Sequence, residues 1–558
     1  MKRSCFFIFL LISFQGVAQK NDSQLTHTDS LRGSLNAERE WWDVQRYDIT
    51  IEPNFHQKMT TGKNIITYKI VQEKHSPYMQ IDLQEPLQID SIIYNDKQKL
   101  TFTREGSAWH VKTGNQRLNS VNKITVFYHG KPREAVRAPW DGGWTFTKDS
   151  LSRPWMTVTC QGLGASVWYP NKDHQSDEPD KGASLTMIVP NDLVAVANGR
   201  LIEKKKALNE KLSYKWEVEN SINNYNIIPY IGHYVNFKGN YLGLKGNLDL
   251  DYWVLDYNEN KAKDYLPKEV HNMLDSFEYW FGPYPFYEDG YKIIETEHTG
   301  MEHQSAIAYG NHYKPGYRGR DGSGTGWGMK WDFIVIHESG HEWFGNNITT
   351  NDLADMYIHE SFTNYSETLF VDSMFGEEAA NEYNYGIRQG IRNDKPIIPA
   401  YGVNGQGSGD MYPKGGNMLH SIRHSINNDQ LFRNILAGLN QSFYHETVDG
   451  SQIQAYISEK AGYDYSKVFE QYLTTTQIPQ LNLFKDIENN QVYYKWSNSI
   501  KGFNLPISLK NNNADIRIVP NLEWQQVTVS PDEKELFTPE AIEKMYYVEV
   551  KEVKSLEL

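Results

Sequence analysis

The sequence predicts a multidomain α+β protein, on three observations. Polar and apolar residues alternate with period two from Trp41 to about residue 218. Apolar residues then recur at helical spacing from Leu266 to about residue 473. Alternation returns beyond Thr474-Thr475-Thr476-Gln477-Ile478-Pro479, which reads as a hinge. These zones place an N-terminal β domain at 19–256, a mainly helical domain at 257–476 and a small β domain at 477–558, behind a leader at 1–18. At roughly 100–200 residues per domain, a chain of 558 residues has room for all three.

The leader has its own chemistry. Lys2-Arg3 is basic, Cys5 to Phe14 is apolar but shorter than a bilayer span, and Gly16-Val17-Ala18 supplies small residues for a signal peptidase. Cleavage after Ala18 and export, periplasmic or extracellular, are expected. Cys5 opens the apolar run instead of following it, so it is not placed for lipidation. No later stretch is long and apolar enough to form a transmembrane segment. Losing Lys2 and Arg3 takes the formal charge from −14 to −16, an acidic balance that argues against nucleic acid as a partner. Cys160 is then the lone cysteine, which excludes an intrachain disulfide. The oligomeric state is left open.

Residues 19–40 are a polar lead-in. Strands follow at Tyr47–Glu52, Asn64–Ile70 and Lys123–Tyr128, with turn signals at Asn95-Asp96 and His129-Gly130-Lys131-Pro132. Further strands read at Ser184–Pro190, Leu193–Ala197 and Tyr214–Val218. Leu266 to Phe281 reads as a helix through Val270, Met273, Leu274 and Phe277, with Pro267 in its first turn. Lys292 to Glu295 is a strand leading into Thr299-Gly300-Met301-Glu302-His303. Gly319 to Gly328 has a G-x-G pattern but no preceding strand and no following Lys-Ser/Thr, so it reads as a mobile loop and not a phosphate loop. More helices read at Asp355–Phe375, Asn417–Asn427, Asp429–Phe443, Ser451–Ala461 and Tyr465–Leu473. Past the hinge, strands read at Gln491–Trp496, Leu505–Leu509, Asp515–Val519, Gln526–Ser530 and Tyr546–Val553.

His337-Glu338-Ser339-Gly340-His341 is an instance of H-E-x-x-H. On a helix, positions i and i+4 share a face, so His337 and His341 can reach one metal ion. Glu338, about 100° around, can hold and deprotonate a water there. Two imidazoles with a carboxylate and an open position suit zinc. The plainer alternative is an amphipathic helix with surface histidines. The apolar run Trp331 to Ile336 and the following Trp343-Phe344 favour a buried metal helix instead. Downstream candidates for the third ligand are Asp352, Asp355, His359, Glu360 and Glu367. Asp352 and Asp355 fall where capping explains them. Glu360 has the separation at which one helix ends, the chain turns through Asn346-Asn347 to Asp352, and a second helix returns to the metal.

H-E-x-x-H followed by Glu360 at this spacing resembles the gluzincin pattern. Thr299-Gly300-Met301-Glu302-His303 resembles the exopeptidase motif G-x-M-E-N, His341-Glu342-Trp343-Phe344-Gly345-Asn346 resembles H-x-W-F-G-N, and Tyr412-Pro413-Lys414-Gly415 resembles Y-x-K-G. Four motifs in order resemble the aminopeptidase N family of zinc metallopeptidases, which includes leukotriene hydrolase. The resemblance covers most of the chain after the leader, and Cys160-Gln161 and Asp177-Glu178-Pro179 add to it. It implies an N-terminal β saddle, a thermolysin-like catalytic domain and a C-terminal β sandwich.

The resemblance also implies one Zn2+ per chain on His337, His341 and Glu360, and zinc-dependent removal of the first residue from peptides with a free N-terminus. Glu338 would be the base and Tyr412 the donor to the developing oxyanion. Glu302 would hold the substrate amine, Gly300 and Met301 would line its backbone, and Gln161 would line the pocket for its first residue. Thr299, His303 and Ser361 depart from the usual Gly, Asn and Gly, and a short form without the helical fourth domain of many members is expected. Two other readings are a non-peptide hydrolase of the epoxide type at the same site and an inactive peptide-binding scaffold, the latter opposed by the intact set of motif residues. His298, His359, His420, His424, His445 and Glu342 lack ligand spacing and read as surface or supporting residues.

Overall fold

The computed structural model describes residues 26–486, 488–510 and 515–556. The expected leader and its cleavage site lie outside these residues.

The first unit is β-rich. Its largest sheet has eight strands in the order Arg200–Ala207, Lys211–Val218, Ala183–Pro190, Trp42–Asn54, Met59–Ile70, Val121–Gly130, Gln88–Tyr94 and Gln98–Leu100. Only the pairing of Trp42–Asn54 with Ala183–Pro190 is parallel. Burial alternates along Trp42–Asn54, as period-two patterning requires when one face packs inward. That face meets a four-stranded and a three-stranded sheet over a core rich in Trp41, Trp42, Trp144 and Trp168.

The boundary expected after residue 256 moves. The hairpin Tyr234–Gly243 and Gly246–Leu255 pairs in parallel with Tyr291–Glu295, in one five-stranded sheet with Ile307–Tyr309 and the edge strand Gly300–Met301. Helix Glu259–Phe281 is the crossover between the parallel strands, so the hairpin belongs with the second unit. Alternation looks the same whichever sheet a strand joins, and that hides the boundary. The same helix starts earlier than its pattern indicates, which puts Pro267 in its interior and not its first turn. Buried Ala262 and Leu266 hold the preceding turns despite the missing amide hydrogen bond.

The helices of the second unit pack on that sheet and on each other. They are Phe333–Gly340, Tyr357–Phe375, Glu377–Ile387, Pro413–Ile426, Asp429–Ser442, Gly450–Ala461 and Ser466–Thr474. No helix of the described residues is long and apolar enough to cross a membrane. The glycine-rich segment expected to be mobile is tied down. Asp321 accepts from Ser323 N at 2.8 Å and Gly326 N at 2.5 Å, Gln389 donates to Ser323 O at 2.7 Å, and Trp327 Nε1 donates to Glu382 at 2.8 Å.

The C-terminal unit has a four-stranded sheet, Gln525–Thr528, Gln491–Ser497, Gln480–Asp486 and Glu549–Glu552, and a ribbon of Ile507–Lys510 with Asp515–Ile518. Its apolar core is continuous with that of the second unit. The expected hinge is pinned: Lys414 Nζ donates to Thr475 O at 2.7 Å, and Gln471 Nε2 to Gln477 O at 3.0 Å.

Candidate metal and catalytic site

Asp332 starts the metal helix. Its carboxylate accepts from Ile334 N and Val335 N, satisfying amides that have no partner inside the helix. The helix ends at Gly340, and His341 is its cap residue, still in right-handed helical conformation. His337 and His341 therefore keep i, i+4 geometry, with ring centroids 5.2 Å apart.

Two carboxylates face the imidazole pair. Atoms of His337, Glu338 and His341 able to bind a metal lie within 4.8 Å of one another. Glu360 Oε2 lies 3.9 Å from His337 Nε2 and 3.4 Å from His341 Nε2. The two acids differ in their surroundings. Glu360 Oε2 is buried with no hydrogen-bond partner, while its Oε1 accepts from Gln161 Nε2 at 3.2 Å. Burial opposes the Glu360 charge, but His341 and His337 outweigh it and hold the carboxyl down to about 2. Burial, with Glu302 nearby, pushes Glu338 up to about 7. Glu360 is the fixed anion, and Glu338 is the acid able to exchange a proton near neutrality.

The donor set fits a divalent cation. His337 Nδ1 is 2.7 Å from Glu367 Oε1, and His341 Nδ1 is 3.1 Å from Phe344 O. With Nδ1–H donating to these oxygens, each Nε2 lone pair faces Glu360 Oε2. Ligands about 2.0–2.1 Å from one tetrahedral ion sit roughly 3.3 Å apart, close to the spacing found here. Burial disfavours a charge on His341, yet Glu360, Glu302 and Glu338 drive its proton affinity up to about 10. A pocket this anionic calls for a cation.

Glu367 orients His337 and is itself held by Tyr383 OH at 2.6 Å and Asn364 Nδ2 at 3.2 Å. Glu367→Ala is expected to weaken metal binding about 10–100-fold. Titration against a chelator of known affinity checks this, and an unchanged dissociation constant would refute the orienting role.

Tyr412 enters from the turn before helix Pro413–Ile426. Its ring lies along His337 at 6.1 Å and 24°, and Phe333 stacks on the same imidazole at 5.2 Å and 13°. Burial and the Glu360 and Glu302 carboxylates keep the Tyr412 phenol far above its ordinary value, so it stays a proton donor. Ser361, which departs from the expected glycine, helps place it: Ser361 Oγ donates to Met411 O at 2.7 Å. A Cβ at Gly415 would collide with the Ser361 side chain, so that position requires glycine.

Glu302 is buried directly after the edge strand Gly300–Met301. It accepts from Tyr225 OH at 3.1 Å, and Asn346 Nδ2 donates to its carbonyl at 2.9 Å. A Cβ at Gly300 would lie 2.6 Å from Glu338 Oε1, so glycine lets the strand rest against the base. Gln161, expected to line a pocket, has its amide bound to Glu360, which it braces. His303 takes a hydrogen bond with Tyr230 OH through Nδ1. Of the histidines read as surface or supporting residues, His298, His359 and His420 are buried, and His359 Nε2 accepts from Thr350 N at 3.0 Å. Glu342 is buried too, accepting from Tyr284 OH at 2.8 Å and Ser305 N at 2.9 Å.

Sequence reasoning missed Tyr225, Asn346, Tyr383 and Phe333. Two of them left a signal: Phe333 lies one helical turn before His337, and Asn346 closes the stretch that resembles H-x-W-F-G-N, although no contact with Glu302 is read from it.

Residues 273–472 match the peptidase family M1 domain. Aminopeptidase N of Lactobacillus helveticus is 26% identical over 245 residues, 40% of this chain and 29% of that protein. Endoplasmic reticulum aminopeptidase 1 of Rattus norvegicus is 21% identical over 477 residues, 78% of this chain and 49% of that protein. The chain thus spans less than half the length of these relatives. Among solved structures, an M1 zinc metallopeptidase from Deinococcus radiodurans superposes with TM-score 0.66 at 17% identity, over 79% of this chain and 95% of that one. Aminopeptidase A of Legionella pneumophila, in complex with aspartic acid, superposes with TM-score 0.72 at 16% identity, over 92% of this chain and 60% of that one. At these identities the superpositions establish the shared fold.

Proposed function

Because the chain belongs to the aminopeptidase N family, with its M1 domain at residues 273–472, we propose that it is a zinc aminopeptidase removing the first residue from peptides with a free N-terminus. The observation that carries this is Glu302, a buried carboxylate at the end of an edge strand whose Gly300 touches the base Glu338.

His337, His341 and Glu360 would hold the ion, the orphaned Glu360 Oε2 being the atom that most needs it. Zinc at this position supplies Lewis acidity, polarising the scissile carbonyl and making a water easier to deprotonate. Glu338 takes the proton of the attacking water and passes it to the leaving amine, a role suited to a carboxyl pushed up to about 7. Tyr412 donates its phenol proton in a hydrogen bond to the oxygen that gains charge as the carbon becomes tetrahedral. Glu302 pairs with the substrate ammonium, which fixes the distance from chain end to scissile bond at one residue. Gly300 and Met301 offer unpaired edge-strand groups to an extended substrate. Gln161 keeps the Glu360 carboxylate in its orientation.

Purified protein should cleave aminoacyl chromogenic amides and spare the N-acetylated versions, and a chelator should abolish the activity. Glu302→Gln should cost about 100-fold in kcat/KM on the free-amine set, the scale of leaving one member of a buried charge pair alone. Equal cleavage of acetylated and free substrates by the parent protein would remove the role given to Glu302.

A further inference from the structure

The amine and the scissile bond account for Glu302, Gly300 and the residues around His337, but not for a cationic turn at the opposite end of the edge strand. Gly310 N donates to Thr299 O at 2.7 Å, so the chain leaving Ile307–Tyr309 runs beside the residue that precedes Gly300. The next residue, Asn311, is buried and builds a turn. Its Nδ2 donates to the carbonyls of Lys314 and Gly316 at 2.7 and 2.8 Å, and its Oδ1 accepts from Arg318 N at 2.7 Å. Gly316 bridges to Asp332, the cap of the metal helix. Tyr317 meets Phe333 edge-on at 5.5 Å, and Phe333 stacks on His337. Arg318 is exposed and held in the left-handed region at φ 52.

The charge of this turn is not neutralised. Among the described residues, no carboxylate lies within 4.0 Å of Lys314, Arg318 or Arg320. The acid within reach in sequence, Asp321, instead accepts from Ser323 N, Ser323 Oγ and Gly326 N. The field of Arg318 is felt on the approach to the site: burial takes His298 down to about 3 and Arg318 adds to that effect. In a chain of formal charge −14, an unpaired cationic turn beside the cleft is a local exception.

We propose that Arg318, with Lys314 and Arg320 beside it, binds the C-terminal carboxylate of short peptides and so selects substrates of about three or four residues. This rests on the aminopeptidase reading above. With the amine at Glu302, a peptide antiparallel to the edge strand leaves past Gly300 and Thr299. Those three steps from Glu302 span about 10 Å at roughly 3.3 Å per residue. A terminal carboxylate carried that far arrives where Asn311 fixes the Arg318 backbone.

The test compares Leu-Gly-Gly with its C-terminal amide on the zinc-loaded protein. The free acid should be preferred about 10-fold in kcat/KM, expressed in KM, as expected for a hydrogen bond to a charged group at an exposed site. Arg318→Ala should bring the ratio to about one, and Arg318→Glu should invert it. Cleavage by the parent at a ratio near one, or a ratio that survives both substitutions, overturns the inference and leaves the peptidase reading standing. Cleavage of neither peptide, nor of an aminoacyl anilide, removes both.

Discussion

Glu338→Ala is expected to lower kcat by about 1,000-fold or more while the protein keeps one zinc per chain. The size combines loss of a general base with loss of the acid that protonates the leaving amine, each contributing about 100-fold or more. Retention of metal follows from the surroundings. Glu360 Oε2 is the atom near both Nε2 positions that has no other partner, and the His337 and His341 rings are oriented from their far sides by Glu367 and Phe344 O. None of these contacts uses Glu338. Metal analysis beside steady-state kinetics checks both halves. A variant that loses zinc in step with activity would make Glu338 a ligand and overturn the division of roles.

Glu360→Ala is expected to do the reverse, with zinc affinity falling by more than about 100-fold, beyond the range for removing a group that merely orients a ligand. The substitution leaves two imidazoles without their shared anion and frees the Gln161 amide. Activity should fall with occupancy and recover in part when zinc is supplied in excess. Competition with a graded series of chelators reads this directly. Full retention of zinc would shift the third ligand to Glu338, the other carboxylate within reach of both rings.

These two substitutions test residues that were legible in the chain because their geometry is local. The i, i+4 pair needs only a helix, and Glu360 needs only a return helix of suitable length. Supporting residues follow no such rule. Tyr383, which secures Glu367, sits on helix Glu377–Ile387, a segment of mixed Glu, Ala, Asn, Tyr and Gly whose inward stripe of Ala379, Ala380, Tyr383 and Ile387 has only one large aliphatic residue. Gly386 lies against the Ser323 carbonyl there, so tertiary contact and not intrinsic preference keeps the helix. The hairpin Tyr234–Leu255 shows the same limit for the fold. Neither strand is read from the sequence, where the last alternation found before the helix is Tyr214–Val218, and their partner lies beyond a 23-residue helix. The glycine-rich segment resembled a mobile loop because its tethers, Gln389 and Glu382, come from another part of the chain.

The pinned linker between the last two units has a mechanical consequence. Lys414, two residues past Tyr412, donates to Thr475 O, and Tyr547 N donates to Ser421 Oγ on the same helix. Tyr472 OH closes a third tie to Tyr547 O at 2.7 Å. The helix that presents the Tyr412 phenol is therefore clamped from behind by the linker at Thr475 and by Tyr547, which leads into the last strand of the C-terminal unit. These ties act as a backstop: they set the stiffness with which the phenol is held beside His337.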